Sequence, residues 1–406
     1  MDASVAETTT RFQPQQSRQP SVAVIGLGYV GLPTALALTS PVIGIEASPQ
    51  RLLDIEQGRV DLLPADQLRL ADALGSETFR LTLDASALAE ADTVLICVPT
   101  PVDEDARPDL TALRAACATV VGHARRGQTL VLTSTSYVGT TRELLVAPLQ
   151  ARGLHAGDDI HVAFAPERID PGNAQHVQQT VPRVVGGATP ACAEAAARTL
   201  AQTAESLHVV ASLEAAELTK LHENTFRAVN IALANELAVL ARDLGVDPIE
   251  VTHAAATKPY GYMPFFPSAG VGGHCIPCDP HYLLHSLPHG AMQAPLIGQA
   301  MQSIAERPAE VARRALECLD GDRVLVVGAA YKPGVADVRE SPALQLAAIL
   351  RDAGVDVWIH DPLVDGYEAR PEHDLAVLVT VHPGQDLSWL DGTVLDATYR
   401  HHGEVV

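Results

Sequence analysis

The sequence is poor in aromatic residues, basic residues and cysteine, and it lacks any long apolar run. Phe, Trp and Tyr make up 4% of the 406 residues, so the 47% hydrophobic content is carried mainly by Ala, Val and Leu. Such side chains suit helices packed on parallel sheets better than an all-β sandwich. Lys and Arg number 28 against 49 Asp and Glu, a net charge of −21. A field of that sign repels a phosphate backbone, which argues against nucleic acid as a partner. It also means that any polyanionic small substrate must be met by local cations. The six cysteines (Cys97, Cys117, Cys192, Cys275, Cys278 and Cys318) are scattered. That is no disulfide scaffold, and it fits a reducing, cytoplasmic setting. No stretch reaches the ~18 apolar residues of a membrane span, so no membrane is expected as a partner. Residues 1–20 are polar and rich in Thr, Gln and Arg. They lack the apolar core of a secretory signal and read as a disordered tail.

The chain is too long for one ordinary core, which predicts two or three domains. The first apolar strand, Ser21-Val-Ala-Val-Ile25, runs into Gly26-Leu-Gly-Tyr-Val-Gly31 and an Ala/Leu-rich helix. Further apolar runs lie at 42–45, 93–98, 129–133, 161–165 and 183–185, with helix-like segments between several of them. Alternating β and α segments with fully apolar strands predict a doubly wound parallel sheet. From 212 to 244 the period changes: Leu213, Leu218, Leu221, Thr225, Val229, Leu233, Leu237 and Leu240 recur at helical spacing, up to Gly245. One long helix here can join domains and form a dimer seam. A second βα region opens at Arg323-Val-Leu-Val-Val-Gly328 and continues through strand-like runs at 355–359, 375–381 and 393–395. The expected class is therefore α/β. It has an N-terminal Rossmann-like domain at 21–210, a central long-helix dimerisation domain at 211–317 and a smaller Rossmann-like domain at 318–406.

The glycines at 26, 28 and 31 follow a strand and open a helix. Gly26 permits the tight turn, Gly28 lets the backbone approach a pyrophosphate, and Gly31 allows close packing of helix on strand. Glu46 ends the second strand, where a carboxylate binds ribose hydroxyls and repels a 2′-phosphate. The expected cofactor is NAD rather than NADP, with Arg51 within reach of the same ribose.

Three separated segments bear chemistry. Glu167 and Arg168, in Ala165-Pro-Glu-Arg168, directly follow a strand, at the end where ligands sit in parallel sheets. Lys220 and Asn224 stand i, i+4 on the long helix and share a face. An ammonium and an amide there can hold a developing oxyanion. Cys275 lies in Gly270-Val-Gly-Gly-His-Cys-Ile-Pro-Cys-Asp279, where glycines allow close approach of a substrate or backbone. A nearby cation, Lys220 or His274, can make its thiol a nucleophile. Cys275 and Cys278 also form a C-x-x-C. A redox dithiol would open a helix in a thioredoxin-like unit, and a structural zinc site would need two more ligands, with His274, His281 and His285 the nearby candidates. No thioredoxin-like unit and no second C-x-x-C are visible, so no metal is expected.

Seven segments carry a resemblance in common. They are Gly-Leu-Gly-Tyr-Val-Gly at 26–31, Val-Pro-Thr-Pro at 98–101, Ser-Thr-Ser-Tyr-Val-Gly-Thr at 134–140, Ala-Pro-Glu-Arg at 165–168, Lys-Leu-His-Glu-Asn-Thr-Phe-Arg-Ala-Val-Asn at 220–230, Gly-Val-Gly-Gly-His-Cys-Ile-Pro at 270–277 and Tyr-Lys-Pro-Gly-Val-Ala-Asp-Val-Arg-Glu-Ser-Pro at 331–342. In this order they resemble the UDP-glucose/GDP-mannose dehydrogenase family, over about residues 20 to 400. The resemblance implies an NAD-dependent, four-electron oxidation of C6 of a UDP-sugar to a carboxylate. Cys275 would form first a thiohemiacetal and then a thioester. Glu167 or a nearby acid would position water, Lys220 and Asn224 would hold the oxygen at C6, and Asp279 would activate water or tune Lys220. Thr135 would lie near the nicotinamide and the reacting carbon. Tyr29, Val30, Pro99 and Thr100 would line the cofactor, and Arg339 would meet its pyrophosphate. Arg168, Lys258, Gly272 and Gly273 are expected around the substrate, and Lys332 at the uridine diphosphate. A homodimer is implied as well. Ala-Ala-Ala-Thr-Lys-Pro-Tyr-Gly-Tyr at 254–262 and Gly-Gly-His-Cys at 272–275 resemble the branch acting on UDP-N-acetylhexosamines. Two departures lie near the sugar: Cys278, where Val or Lys is usual, and Ser268-Ala269 in place of Gly-Pro. UDP-glucose oxidation, a two-electron dehydrogenase of related architecture and a catalytically silent binding protein are the alternative readings.

Overall fold

The computed structural model describes residues 20–60, 62–103, 105–169, 178–287, 292–401 and 404–406. The expected disordered tail lies outside the described residues, apart from Pro20. The chain forms two compact units, Met1–Leu221 and His222–Val406.

The first unit is built on an eight-stranded sheet: β1 (Val22–Ile25), β2 (Val42–Ile45), β3 (Phe79–Thr82), β4 (Thr93–Ile96), β5 (Thr129–Leu132), β6 (His161–Phe164), β7 (Arg183–Gly187) and β8 (Leu207–Val210). The spatial order is β3-β2-β1-β4-β5-β6-β7-β8. Successive strands from β3 to β6 pair in parallel, with Val22 opposite both Val42 and Thr93. The order reverses between β1 and β4, so the loops after these two strands splay apart and leave a crevice at their carboxyl ends. Val22, Val24, Leu95, Val131 and Ala163 point into one core with Leu27, Leu32 and Ile55, all essentially inaccessible to solvent. Each such Val, Leu or Ile contributes roughly 1.5–3 kcal/mol by leaving water.

The expectation of a wholly parallel sheet needs one correction. β7 runs antiparallel to β6, with Ala163 opposite Gly187 and Phe164 opposite Gly186, and β8 follows β7 in parallel. A parallel return needs a crossover helix. Among the described residues, the connection between β6 and β7 contains only a short 3₁₀ turn, Gln178–Thr180.

The long helix spans Leu213–Asp243 and runs from the first unit into the second. The second unit holds a five-stranded parallel sheet: β9 (Arg323–Val327), β10 (Asp356–His360), β11 (Leu375–Leu378), β12 (Thr393–Asp396) and β13 (Glu404–Val405), in the order β10-β9-β11-β12-β13. Its main core joins Val324, Val326, Leu346, Leu350, Leu375 and Val377 to Val311 and Ala315 of the helix Pro295–Cys318. Among the described residues no helix is long and apolar enough to cross a membrane.

Candidate active site

The glycine loop sits at the sheet's switch point. Gly26 has φ +87°, and a Cβ there would lie 2.7 Å from the Cys97 carbonyl oxygen, at the end of β4. A Cβ on Gly31 would lie 1.8 Å from the Gly26 carbonyl oxygen. Both positions therefore exclude a side chain for steric reasons. Gly28 differs, because a Cβ there meets nothing within 4 Å. Its side faces open space, as a backbone meant to receive a ligand requires. Glu46 braces this loop: its Oε2 accepts from the Leu27 N–H at 2.9 Å, and its Oε1 accepts from the Ala47 and Ser48 N–H groups at 2.8 and 3.0 Å. The Arg51 Nε donates to the Leu27 carbonyl at 3.1 Å. A carboxylate and a guanidinium thus grip residue 27 from its two polar groups. Tyr29 and Val30 are half-buried at the entry to the helix Gly31–Ala37. Pro99 is exposed and Thr100 half-buried after β4, and Thr135 is half-buried after β5. These positions share the carboxyl edge of the parallel strands and suit a dinucleotide.

Glu167 follows β6 on the same edge. Its Oε1 accepts from the Arg168 N–H at 2.8 Å and its Oε2 from Gln178 Nε2 at 2.9 Å, while Arg183 Nη1 stands 3.5 Å away. Arg183 is buried, and it also donates to Thr203 Oγ1 at 3.1 Å. A buried guanidinium beside a carboxylate helps to keep the carboxylate in place. Nothing in the local sequence marked Arg183, because it begins a strand of otherwise apolar type. Arg168 donates from Nη1 to the Pro182 carbonyl at 2.6 Å. Glu217 is a second residue missed. From the long helix it accepts from the N–H groups of Gly139 and Thr141 at 2.6 and 2.9 Å, and from Thr141 Oγ1 at 2.6 Å. It thereby fixes the loop that follows Thr135. Burial pushes the Glu217 carboxyl above its ordinary range, against the pull of those three hydrogen bonds.

Lys220 and Asn224 are both buried, one helical turn apart on the long helix. In the second unit the Asn224 Nδ2 donates to Asp279 Oδ2 at 2.5 Å, and Asp279 is itself buried. Cys275 is exposed, while Cys278 is buried. The Asp279 N–H donates to the Cys275 carbonyl at 2.9 Å. The thiol and the Asn224–Asp279 pair are therefore linked through one turn of backbone.

The glycines before Cys275 are needed for backbone approach. A Cβ on Gly272 would lie 2.6 Å from the Glu340 carbonyl oxygen. One on Gly273, which has φ +76°, would lie 3.0 Å from the Tyr331 ring. Gly273 also donates its N–H to the Arg339 carbonyl at 2.9 Å. The segment carrying half-buried Lys332 and Arg339 is thus packed directly on the Cys275 loop. Arg339 holds Asp337 through Nη2 at 2.5 Å. Burial would raise the Asp337 carboxyl, but the bonds from Arg339 outweigh it and keep it below the usual range. Lys258 is exposed, with its ammonium 5.1 Å from the centre of the Tyr260 ring. Ser268 is held by Asn235 Oδ1, which accepts from its N–H at 2.8 Å, and by the buried Arg307, whose Nε donates to its carbonyl at 3.0 Å.

A cavity of about 560 Å³ opens in this unit, lined among others by Phe266, Ser268, Tyr331, Thr380, His382 and Arg400. It lies at the carboxyl ends of β9, β11 and β12, and the Arg400 guanidinium stands 4.8 Å from the centre of the Phe266 ring. An aromatic face and a cation together suit a base and a phosphate group. Beneath it, Asp361 Oδ2 accepts from the Ala330 N–H at 2.9 Å, and Asp361 Oδ1 lies 2.9 Å from His382 Nε2. His382 Nδ1 accepts from the Gly334 N–H at 3.0 Å, which leaves the ring proton on Nε2. The turn bearing Tyr331 and Lys332 is thus pinned at both ends. Among the described residues no group of three or more His, Cys, Asp or Glu is arranged to hold a metal ion.

The comparisons with known proteins agree with this geometry. Residues 20–204 match the NAD-binding domain of the UDP-glucose/GDP-mannose dehydrogenase family, 214–304 its central domain and 325–394 its UDP-binding domain. The UDP-N-acetyl-D-glucosamine 6-dehydrogenase of Pseudomonas aeruginosa is 32% identical over 393 residues, covering 92% of this chain and 89% of that protein. The UDP-N-acetyl-D-mannosamine dehydrogenase of Escherichia coli K12 is 34% identical over 355 residues, covering 81% and 82%. The solved structure of a UDP-D-ManNAc dehydrogenase from Pyrococcus horikoshii matches with a TM-score of 0.85 at 33% identity, covering 93% of this chain and 94% of that one. The chain belongs to the UDP-glucose/GDP-mannose dehydrogenase family of NAD-dependent oxidoreductases.

Proposed function

We propose that the protein oxidises C6 of a UDP-N-acetylhexosamine to the uronic acid, in two successive two-electron steps, with Cys275 as the covalent catalyst. The observation that carries this reading is the exposed Cys275 thiol on the turn that also sets the buried Asp279 carboxylate against Asn224. When bound, NAD⁺ accepts the hydride removed in each step. The loop of Gly26, Gly28 and Gly31, with Glu46, Arg51 and Thr100, would hold that cofactor, and Arg339 would meet its pyrophosphate. Lys332 would take the uridine diphosphate; residues 21–210 would form the cofactor domain, 211–317 the central domain and 318–406 the UDP-sugar domain.

The Cys275 sulfur adds to the C6 aldehyde, and the resulting thiohemiacetal carries the carbon into the second oxidation. The product of that oxidation is a thioester on Cys275. Lys220 holds the C6 oxygen as it gains charge, and Asn224 keeps the Asp279 carboxylate in place beside the thiol's turn. Glu167, clamped by Arg183, positions the water that adds to the thioester and breaks its C–S bond. The working form in this reading is a cytoplasmic homodimer. The exposed apolar residues Leu233, Leu237, Leu240 and Leu244 of the long helix and its end would form its seam.

The test is a substrate panel: UDP-GlcNAc, UDP-ManNAc, UDP-galactose, UDP-glucose and GDP-mannose, each with NAD⁺, followed by absorbance and product mass. An N-acetylhexosamine uronate as the preferred product supports the proposal. Preference for UDP-glucose moves the chain to the neighbouring branch of the family. No NADH with any of them overturns it.

A further inference from the structure

The turn that bears Cys275 carries a second thiol, which the chemistry above leaves unused. The run is Cys275-Ile276-Pro277-Cys278. Its first sulfur is exposed and its second buried. The hydrogen bond from the Asp279 N–H to the Cys275 carbonyl, 2.9 Å, closes one turn of α type just before the helix Asp279–His285. In such a turn the Cα atoms of i and i+3 lie about 5 Å apart. That falls inside the ~4.4–6.8 Å that a disulfide spans. Pro277 has a fixed φ and no N–H to lose, so the turn is stiff and little freedom is given up when it is bridged. The third partner is His274. Its Nδ1 lies 3.8 Å from the Cys278 sulfur, within reach of a thiol proton. Burial, and the nearby Arg339, hold this imidazole below its usual range, so it is neutral and able to accept that proton.

We propose that Cys275 and Cys278 form a peroxide-responsive pair, in which Cys278 resolves an oxidised Cys275 into a disulfide that silences the site reversibly. The oxidant is hydrogen peroxide or an organic hydroperoxide. The Cys275 sulfur attacks one peroxide oxygen and the O–O bond breaks. This leaves a sulfenic acid on Cys275 and releases water or an alcohol. The Cys278 thiol gives its proton to His274, and its sulfur attacks the Cys275 sulfur. The S–O bond breaks as the S–S bond forms, and the departing hydroxide recovers the proton and leaves as water. The two thiols have lost two electrons, and the peroxide has gained them. A dithiol reductant reverses the bond by exchange. Without Cys278 the sulfenic acid goes on to the sulfinic acid, which thiols do not reduce. The exposed sulfur meets the oxidant, and the buried one is kept from direct attack until it is needed.

The loss of turnover in this proposal rests on the reading of Cys275 as the covalent catalyst; the pairing of the two sulfurs does not. The test treats the purified full-length chain with a small excess of hydrogen peroxide. It then follows intact mass, the alkylated peptide bearing both cysteines, and turnover before and after dithiothreitol. The expected result is a loss of two hydrogens from that peptide, a fall in turnover of at least tenfold in step with it, and full recovery on reduction. Cys278→Ala is expected to turn over within about twofold of the unaltered chain before peroxide, then to gain two oxygens on Cys275 and stay inactive after reduction. Cys278→Ser gives the same readout with less change in packing. Direct conversion of the unaltered chain to the sulfinic acid, or recovery of both Cys278 variants as complete as its own, overturns the proposal. A disulfide that forms with turnover intact leaves the pairing standing, and contradicts instead the catalytic reading of Cys275.

Discussion

An amide that donates to a buried carboxylate at 2.5 Å has one of its two N–H protons already committed, which narrows what Asn224 can offer an oxyanion. Sequence spacing placed Lys220 and Asn224 together on one oxyanion. The structure gives Asn224 a partner of its own, the buried Asp279, which it serves first. Lys220→Ala is therefore expected to slow turnover by about 10²–10³ at saturating substrates, the usual cost of one oxyanion donor, with little change in thermal midpoint. Asn224→Ala leaves a buried carboxylate short of a hydrogen bond, which costs roughly 1–3 kcal/mol. Its first signature is a lowered thermal midpoint, together with slowed turnover. An Asn224→Ala protein with an unchanged midpoint would remove the structural half of this assignment. Cys275→Ser is expected to abolish uronate formation while NAD⁺ binds as before in a calorimetric titration, because the exposed thiol supports no core.

At the scale of elements, the two units use the same device: a loop after a strand is tied down by a buried acid. Glu217 fixes the 139–141 loop in the first unit, and Asp361 with His382 fixes the 330–334 turn in the second. His382→Asn retains an acceptor for the Gly334 N–H, whereas His382→Gln retains only the donor for Asp361. The KM for the UDP-sugar is expected to rise several-fold more in the glutamine variant, with kcat and the KM for NAD⁺ little changed. Equal KM values in the two variants would sever His382 from the placement of Lys332. Burial pushes the Asp361 carboxyl up, but hydrogen bonds from His382, Ala330 and Leu363 prevail and hold it below its ordinary value of 3.8. Its contribution is thus present above that value and fades as pH falls through the lowered one. Asp361→Asn should therefore flatten the acid limb of the stability curve, read by denaturant unfolding of both proteins at a series of acid pH values. These ties were not legible in the sequence, because their partners lie far apart in the chain and neither end carries a local pattern. The apolar strands β1, β2, β4, β5 and β6 were legible to within a residue or two, and so was the long helix, because their burial is written as a continuous run or a helical period. β3 and β8 were not. Both are edge strands with exposed residues such as Arg80 and His208, so no apolar run marks them.

Across the whole molecule, the net charge of −21 contrasts with the anionic ligands proposed for it. Of the cations that would meet those ligands, Lys220 stands on the long helix and Lys332 and Arg339 on loops, each named by its motif, while Arg51 stands in the helix Pro49–Glu56 just after Glu46. Arg183 and Arg400 were not visible in this way, since one opens an apolar strand and the other follows the last long one. The exposed leucines of the long helix are the other global feature. Such a row on a charged surface marks an interface more often than a solvated face. Leu237→Glu is expected to convert a dimer to a monomer in sedimentation velocity, and a dimer that survives it would place the seam elsewhere. The claim at the centre of this account is that one thiol carries one carbon through both oxidations. The most direct measurement is the ratio of NADH formed to UDP-sugar consumed at complete conversion, with the product identified by mass. Two NADH per uronate, with no free aldehyde, is the result predicted; one NADH per aldehyde released would contradict it.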